Sequence, residues 1–207
     1  MTKAVFSKPF TQQEAIPEAG IARAVEIMKT GRLHRYNLLP DEAGEAAALE
    51  MEYAKWQGAD YCIACTSGGY AIQLGLRVCG VKPGDKVLAN AYTLAPVPGA
   101  IHNVGGVPVL VDIDESYHID CDDLDAKAAA TGAKYLLLSY MRGHIPDMDK
   151  LLAVCTKYDI CLIEDCAHTM GAKWRGIRSG NFGKEAAFST QTYKHMNSGE
   201  GGFLTTN

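Results

Sequence analysis

From Tyr61 onward the chain alternates short apolar runs with stretches of helical pattern, and that alternation limits the fold more than any other feature. Apolar runs of strand length fall at residues 61–65, 86–90, 107–111, 134–138, 160–163, 186–189 and 203–206. Strands that recur with helices between them predict an α/β domain, a three-layer αβα sandwich whose sheet is mainly parallel, seven-stranded and covered by helices on both faces. Gly80-Val-Lys-Pro-Gly-Asp85 and Gly105-Gly-Val-Pro108 supply turn punctuation between units. Two helical patterns precede the alternation, at residues 18–30 and 41–56, the second opened by a capping Asp41 and stopped before Gly58. Residues 31–40 between them read as a loop. The expected organisation is an N-terminal helical segment, 1–60, packed on a large domain, 61–207.

The bulk properties narrow the function classes. With 207 residues, 47% of them apolar and 21% charged, the chain has material for one substantial core. Its net charge is −4 at pH 7 and it holds no basic run, so neither nucleic acid nor an anionic membrane is an expected partner. No apolar stretch exceeds strand length, and the first residues lack the apolar core of a signal peptide, which makes a cytoplasmic location the expectation. Seven scattered cysteines argue for a reducing compartment rather than a disulfide framework. Cys62 and Cys65 form a CxxC, but no second pair accompanies it and the two would face opposite sides of a strand. Strand cysteines are therefore favoured over a metal or redox centre.

Three places carry chemistry. Lys194 lies between an apolar strand ending at Ser189 and the Gly-rich turn Ser198-Gly-Glu-Gly-Gly202. It reads either as a solvated loop lysine or as an amine desolvated enough to attack a carbonyl and form a Schiff base. Asp165 ends an earlier strand, in Ile163-Glu-Asp-Cys-Ala-His168. It is either the cap of the next segment or a carboxylate that keeps a pyridinium nitrogen protonated. Lysine on the aldehyde and aspartate on the ring nitrogen is the pair that pyridoxal phosphate requires. His168 could hold that carboxylate, hold the cofactor's phenolic oxygen, or face water. The third place is Thr66-Ser-Gly-Gly-Tyr-Ala71, which follows the first core strand and opens a helix. Such a turn is an ordinary helix entry, but backbone amides at a helix start also make an anion site. In an open parallel sheet all three places emerge at the carboxyl edge, where ligands bind.

Taken together these motifs, with Val81-Lys-Pro-Gly-Asp85 and Gly143-His-Ile-Pro-Asp-Met-Asp149, closely resemble the DegT-type sugar aminotransferases, which are fold-type I pyridoxal-phosphate enzymes. The resemblance implies that Lys194 is the Schiff-base lysine and proton shuttle, and that Asp165 pairs with the pyridine nitrogen. It puts His168 near the phenolic oxygen. Ser189, Gly69 and Tyr70 match positions that hold the phosphate, the last two through main-chain N–H groups, and Ser67 and Gly68 of the same turn are further candidate cofactor-binding residues. A dehydratase branch of the family carries histidine in place of the lysine; here Lys194 precedes His195, which favours transamination. The implied activity moves an amino group from an amino acid, by resemblance glutamate, to a keto sugar or cyclitol. The alternatives are a non-catalytic subunit of this fold, or dehydration or another carbon–nitrogen step.

Two departures stand out. The aromatic ring that stacks on the cofactor in the family aligns with Leu94, in Tyr92-Thr-Leu94, which gives up about 0.5–1.5 kcal/mol of ring-on-ring interaction unless Tyr92 reaches over. Relatives also continue well beyond the Gly-Glu-Gly-Gly strand into a small C-terminal domain. The expectation is therefore a split enzyme, with a second polypeptide supplying that domain in a dimer or higher oligomer. Tyr36, Asn37, Tyr140, Arg142 and His144 are the candidate substrate residues, Arg142 as a clamp for a carboxylate or phosphate.

Overall fold

The computed structural model describes residues 7, 13, 15–36, 38–39 and 44–207. In chain order its strands are β1 (Tyr61–Cys65), β2 (Lys86–Asn90), β3 (Val107–Val111), β4 (Tyr135–Ser139), β5 (Cys161–Asp165), β6 (Lys173–Trp174), β7 (Ile177–Arg178), β8 (Glu185–Ser189) and β9 (Gly202–Thr206). A seven-stranded sheet runs in the order β1-β9-β8-β5-β4-β2-β3. Among the described residues of this sheet only β9 runs against its neighbours and the other pairings are parallel, while β6 and β7 form a separate antiparallel hairpin. The carboxyl ends of six strands therefore share one edge. The helices are α1 (Glu18–Thr30), α2 (Glu45–Gln57), α3 (Gly68–Val78), α4 (Pro96–Asn103), α5 (Cys121–Thr131) and α6 (Met148–Tyr158).

Successive strand side chains point to opposite faces, and the core divides accordingly. Leu88, Leu136, Leu138 and Leu162 pack with Tyr53 of α2, Leu124 of α5 and Met148 and Leu151 of α6. Val87, Ala89, Leu137 and Ile163 pack on the other face with Ile72 and Leu76 of α3 and Ile101 of α4. Tyr53 fastens α2 to the sheet by stacking on Phe203 at 4.1 Å and meeting Phe188 edge-on at 5.4 Å. By contrast α1 buries no residue.

Several boundaries differ from the sequence reading. β4 and β5 start one residue later than expected, at Tyr135 and Cys161, and β5 runs on through Asp165 because Ser139 and Asp165 pair in the β4–β5 ladder. The second helix begins at Glu45, entered from an extended Gly44 with no side-chain cap; the expected cap, Asp41, lies outside the described residues. The β6–β7 hairpin was not expected, since strands of two residues leave no periodicity to read. Glu164 explains what holds the loop after it. Its buried carboxylate accepts from the backbone N–H groups of Gly180 (2.8 Å), Phe182 (2.8 Å) and Gly183 (2.7 Å) and from the Tyr140 hydroxyl (2.6 Å).

Candidate active site

At the carboxyl edge of the sheet a cleft of 370 Å³ lies between the start of α3, the end of β5 and the loop joining β8 to β9. Asp165 lines it from the floor, 7% exposed. Its Oδ2 accepts from Ser139 Oγ at 2.8 Å and its Oδ1 from the Ala167 backbone N–H at 3.1 Å. Burial pushes the Asp165 carboxyl up, while these two hydrogen bonds and the positive charge of Lys194 pull it back. Ser139 is itself fixed through its main chain: its N–H donates to Asn90 Oδ1 (2.9 Å) and its carbonyl accepts from Asn90 Nδ2 (3.1 Å). A buried polar chain, Asn90–Ser139–Asp165, thus crosses three strand ends.

Lys194 reaches the same cleft from the β8–β9 loop. That loop is folded on itself by the Thr190 and Ser198 hydroxyls, 2.7 Å apart, and by Lys194 N–H donating to the Gln191 carbonyl at 2.7 Å. Lys194 Nζ lies 2.7 Å from His168 Nε2. Burial lowers the Lys194 pKa, with Arg142 adding to the fall and Asp165 opposing it. His168 is pushed down to about 4 by burial first, then by the positive charges of Lys194, Arg142 and His195.

The start of α3 forms the third wall. Ser67 is the N-cap, its Oγ accepting the Tyr70 N–H at 3.1 Å. The Tyr70 amide, expected at the phosphate, is engaged by this cap, and its side chain is half exposed. The first-turn amides of Gly68 and Gly69 have no carbonyl one turn back within the helix. Glycine is required here by packing. A Cβ on Gly68 would sit 2.8 Å from Ser189 Cβ, and one on Gly202 would sit 2.6 Å from Gly68 N. Ser189, 8% exposed, accepts the Gln191 N–H at 3.3 Å and lines the cleft beside these amides.

The cleft thus gathers Ser67, Gly68, Gly69, Leu94, Asp165, His168, Ser189 and Lys194, which the sequence singled out. Leu94 is exposed at its rim, and Tyr92 does not cover for it, since its ring packs on Tyr117 at 5.2 Å. The candidate substrate residues scatter. Tyr140 is a correction: it is 1% exposed, and its hydroxyl is spent on Glu164. Tyr36 is exposed and lies against His34, outside the cleft lining, and Asn37 lies outside the described residues. His144 packs near Tyr117 and His118, while Arg142 meets the site through its backbone N–H, which donates to His168 Nδ1 at 3.2 Å. Cys62 and Cys65 pack against opposite faces of the sheet. Sequence reasoning missed Asn90, Ser139, Gln191 and Glu200. For the first two a signal existed, because β2 and β4, like β5 and β8, carry an apolar run that gives way to a polar residue at the carboxyl end of the strand.

A fold with one antiparallel strand in an otherwise parallel sheet, and a lysine, an aspartate and a helix N-terminus around one cleft, defines a class of α/β ligand-binding domain. Within it the chain belongs to the DegT/DnrJ/EryC1/StrS aminotransferase family, whose profile matches residues 17–207. It is 32% identical over 203 residues to a putative L-glutamine:3-amino-2,3-dideoxy-scyllo-inosose aminotransferase of Streptoalloteichus tenebrarius, covering 98% of this chain and 48% of that protein. Among solved structures, 3-amino-5-hydroxybenzoic acid synthase superposes with a TM-score of 0.86 at 32% identity, covering 96% of this chain and 50% of the other. The PLP form of a putative sugar aminotransferase from Streptococcus pneumoniae gives 0.84 at 26% identity, with 98% and 53% covered. The chain thus spans about half the length of these relatives. Aminotransferases of this family depend on pyridoxal phosphate. Among the described residues, no helix is long and apolar enough to cross a membrane.

Proposed function

We propose that this chain carries the pyridoxal-phosphate site of an aminotransferase that moves an amino group from an amino acid, glutamate or a close analogue, to a keto sugar or cyclitol. One observation carries the reading: Lys194, Asp165, Ser189 and the uncapped amides of α3 converge on a single cleft. The residues fit the group. A volume of 370 Å³ suits a small organic ligand, and Gly68 and Gly69 leave the α3 amides open to a phosphate. Lys194 would bond the aldehyde carbon, Asp165 the ring nitrogen, and Ser67, Gly68, Gly69 and Ser189 the phosphate. His168 would lie at the phenolic oxygen and Leu94 against the ring. When bound, pyridoxal phosphate supplies an electron sink for the carbon that loses a proton.

The chain's own residues supply the rest. Asp165 would keep a proton on the ring nitrogen, through a buried carboxylate that Ser139 and Ala167 hold in place. Lys194 takes and returns a proton at Nζ, a role that burial assists by lowering its pKa. The reading includes protein partners, as a second polypeptide or a second copy in a dimer. Ile21, Val25 and Met28 of α1 and Leu49, Met51 and Trp56 of α2 leave apolar surface exposed. The test is Lys194→Ala, assayed alone and with a candidate partner chain. The visible absorbance of lysine-bound cofactor and the turnover are expected to vanish together, and a variant that retains full activity refutes the assignment.

A further inference from the structure

The pair Lys194–His168 has a property that neither residue has alone. The ring of His168 is held from both sides, with Nδ1 facing the Arg142 backbone N–H at 3.2 Å and Nε2 facing Lys194 Nζ at 2.7 Å. Turning the ring over would place carbon atoms at both contacts, so the two partners fix which nitrogen is where. A backbone amide only donates, so Nδ1 must accept. A neutral imidazole carries one proton, which then sits on Nε2. Nε2–H points at Nζ, and the partner it needs is a lone pair. An ammonium offers none, whereas a neutral amine offers one.

We propose that His168 is a positioning residue that holds Lys194 as the unprotonated, nucleophilic amine, by donating Nε2–H to Nζ from a tautomer set by the Arg142 backbone amide. The inference rests on the reading of Lys194 as the cofactor-binding amine for its purpose, and on the hydrogen-bond geometry for its content. Protonating Lys194 would require Nε2 to accept. The imidazole proton would then move to Nδ1 and oppose the Arg142 N–H head-on.

The amide that sets the tautomer is itself held firmly. Arg142 has φ 56 and ψ 20, a left-handed conformation that a residue with a Cβ adopts rarely and that clusters at functional sites. Tyr140 N–H donates to the Asp165 carbonyl at 3.1 Å, Gly143 N–H to the Tyr140 carbonyl at 3.0 Å, and the Tyr140 hydroxyl to Glu164, so the turn is tied to the end of β5. The charged groups around the pair point the same way with one exception. Arg142 disfavours the cation at Lys194, and Arg142 and His195 disfavour it at His168. Asp165 favours the ammonium, and Glu200 is the other acidic side chain on the cleft wall. The Nε2–H donation works against that attraction.

Two measurements on the cofactor-free chain test this. The first is the 15N spectrum of His168, assigned by its loss in His168→Gln. The Nε2–H tautomer is expected at neutral pH, and the Nδ1–H tautomer or an imidazolium overturns the proposal. The second is labelling of Lys194 by trinitrobenzenesulfonate across a pH series, quantified by peptide mass spectrometry, in wild type, His168→Leu and His168→Gln. Loss of one hydrogen bond to the neutral amine should raise the labelling midpoint in His168→Leu by about one pH unit, a tenfold fall in reactive amine below both midpoints. His168→Gln, which keeps a donor, should return toward wild type. A His168→Leu midpoint equal to the wild-type one overturns the proposal. A protein that passes both tests and takes up no pyridoxal phosphate loses the proposed function but keeps this inference. One that binds the cofactor through Lys194 with Nδ1–H loses this inference alone.

Discussion

Ser139→Ala isolates the support beneath Asp165. The substitution deletes one hydroxyl and leaves both main-chain bonds to Asn90 in place, so the end of β4 keeps its position. What it removes is the 2.8 Å donation to Oδ2 of a carboxylate that burial already pushes toward its neutral form. A hydrogen bond to a charged group is worth about 1.5–3 kcal/mol. At 1.36 kcal/mol per pKa unit, its loss lifts the Asp165 carboxyl by about one to two pH units. A neutral Asp165 cannot pair with a protonated ring nitrogen. Below its pKa, affinity for pyridoxal phosphate then falls about tenfold per pH unit. Absorbance titrations with the cofactor at successive pH values should therefore give a curve of log Kd against pH displaced upward in pH by about one to two units in the variant. Superimposable curves would refute the reasoning. So would a loss of affinity that is equal at every pH, since that would report a displaced carboxylate and not a neutralised one.

Three other outcomes follow from single contacts. Gly202→Ala drives a methyl to 2.6 Å from Gly68 N and the Phe188 carbonyl oxygen, backbone atoms that have no rotamer to adopt, so it should cost at least the ~1–3 kcal/mol of ordinary overpacking. At about 2–4 °C per kcal/mol for a domain of this size, the loss is visible in a melting curve. Leu94→Phe fills open space at the cleft rim and should tighten cofactor binding by about 0.5–1.5 kcal/mol, or roughly two- to twelvefold by titration. His168, neutral in the fold down to about pH 4 against an ordinary value of 6.5, supports folding fully above pH 6.5 and loses that support as pH falls toward 4, because there the unfolded chain binds the extra proton. Urea denaturation at pH 7 and pH 4.5 should accordingly show a smaller acid-side loss for His168→Gln than for wild type.

The alternation after Tyr61 was enough to specify seven strands, helices on both faces and the edge at which a ligand would bind, because each apolar run has to find a sheet neighbour and each helix a face. Residue type likewise marked Lys194, Asp165 and the turn at Ser67, since the chemistry of an amine, a carboxylate and a helix-start glycine is written there, while the family resemblance added the roles of His168 and Ser189. Partnership was not legible there. That Ser139 supports Asp165 depends on strands far apart in sequence pairing in register. That Tyr140 turns inward to Glu164 depends on which side of β4's end the chain leaves the sheet. Most of all, the meaning of His168 changed. As a letter it was a histidine three residues beyond an aspartate, free to face water or cofactor; in the fold a backbone amide from one loop and an amine from another decide where its proton sits. Residue type sets which groups can react, and only tertiary contact sets their protonation, because that depends on what burial excludes and on which donors and acceptors remain.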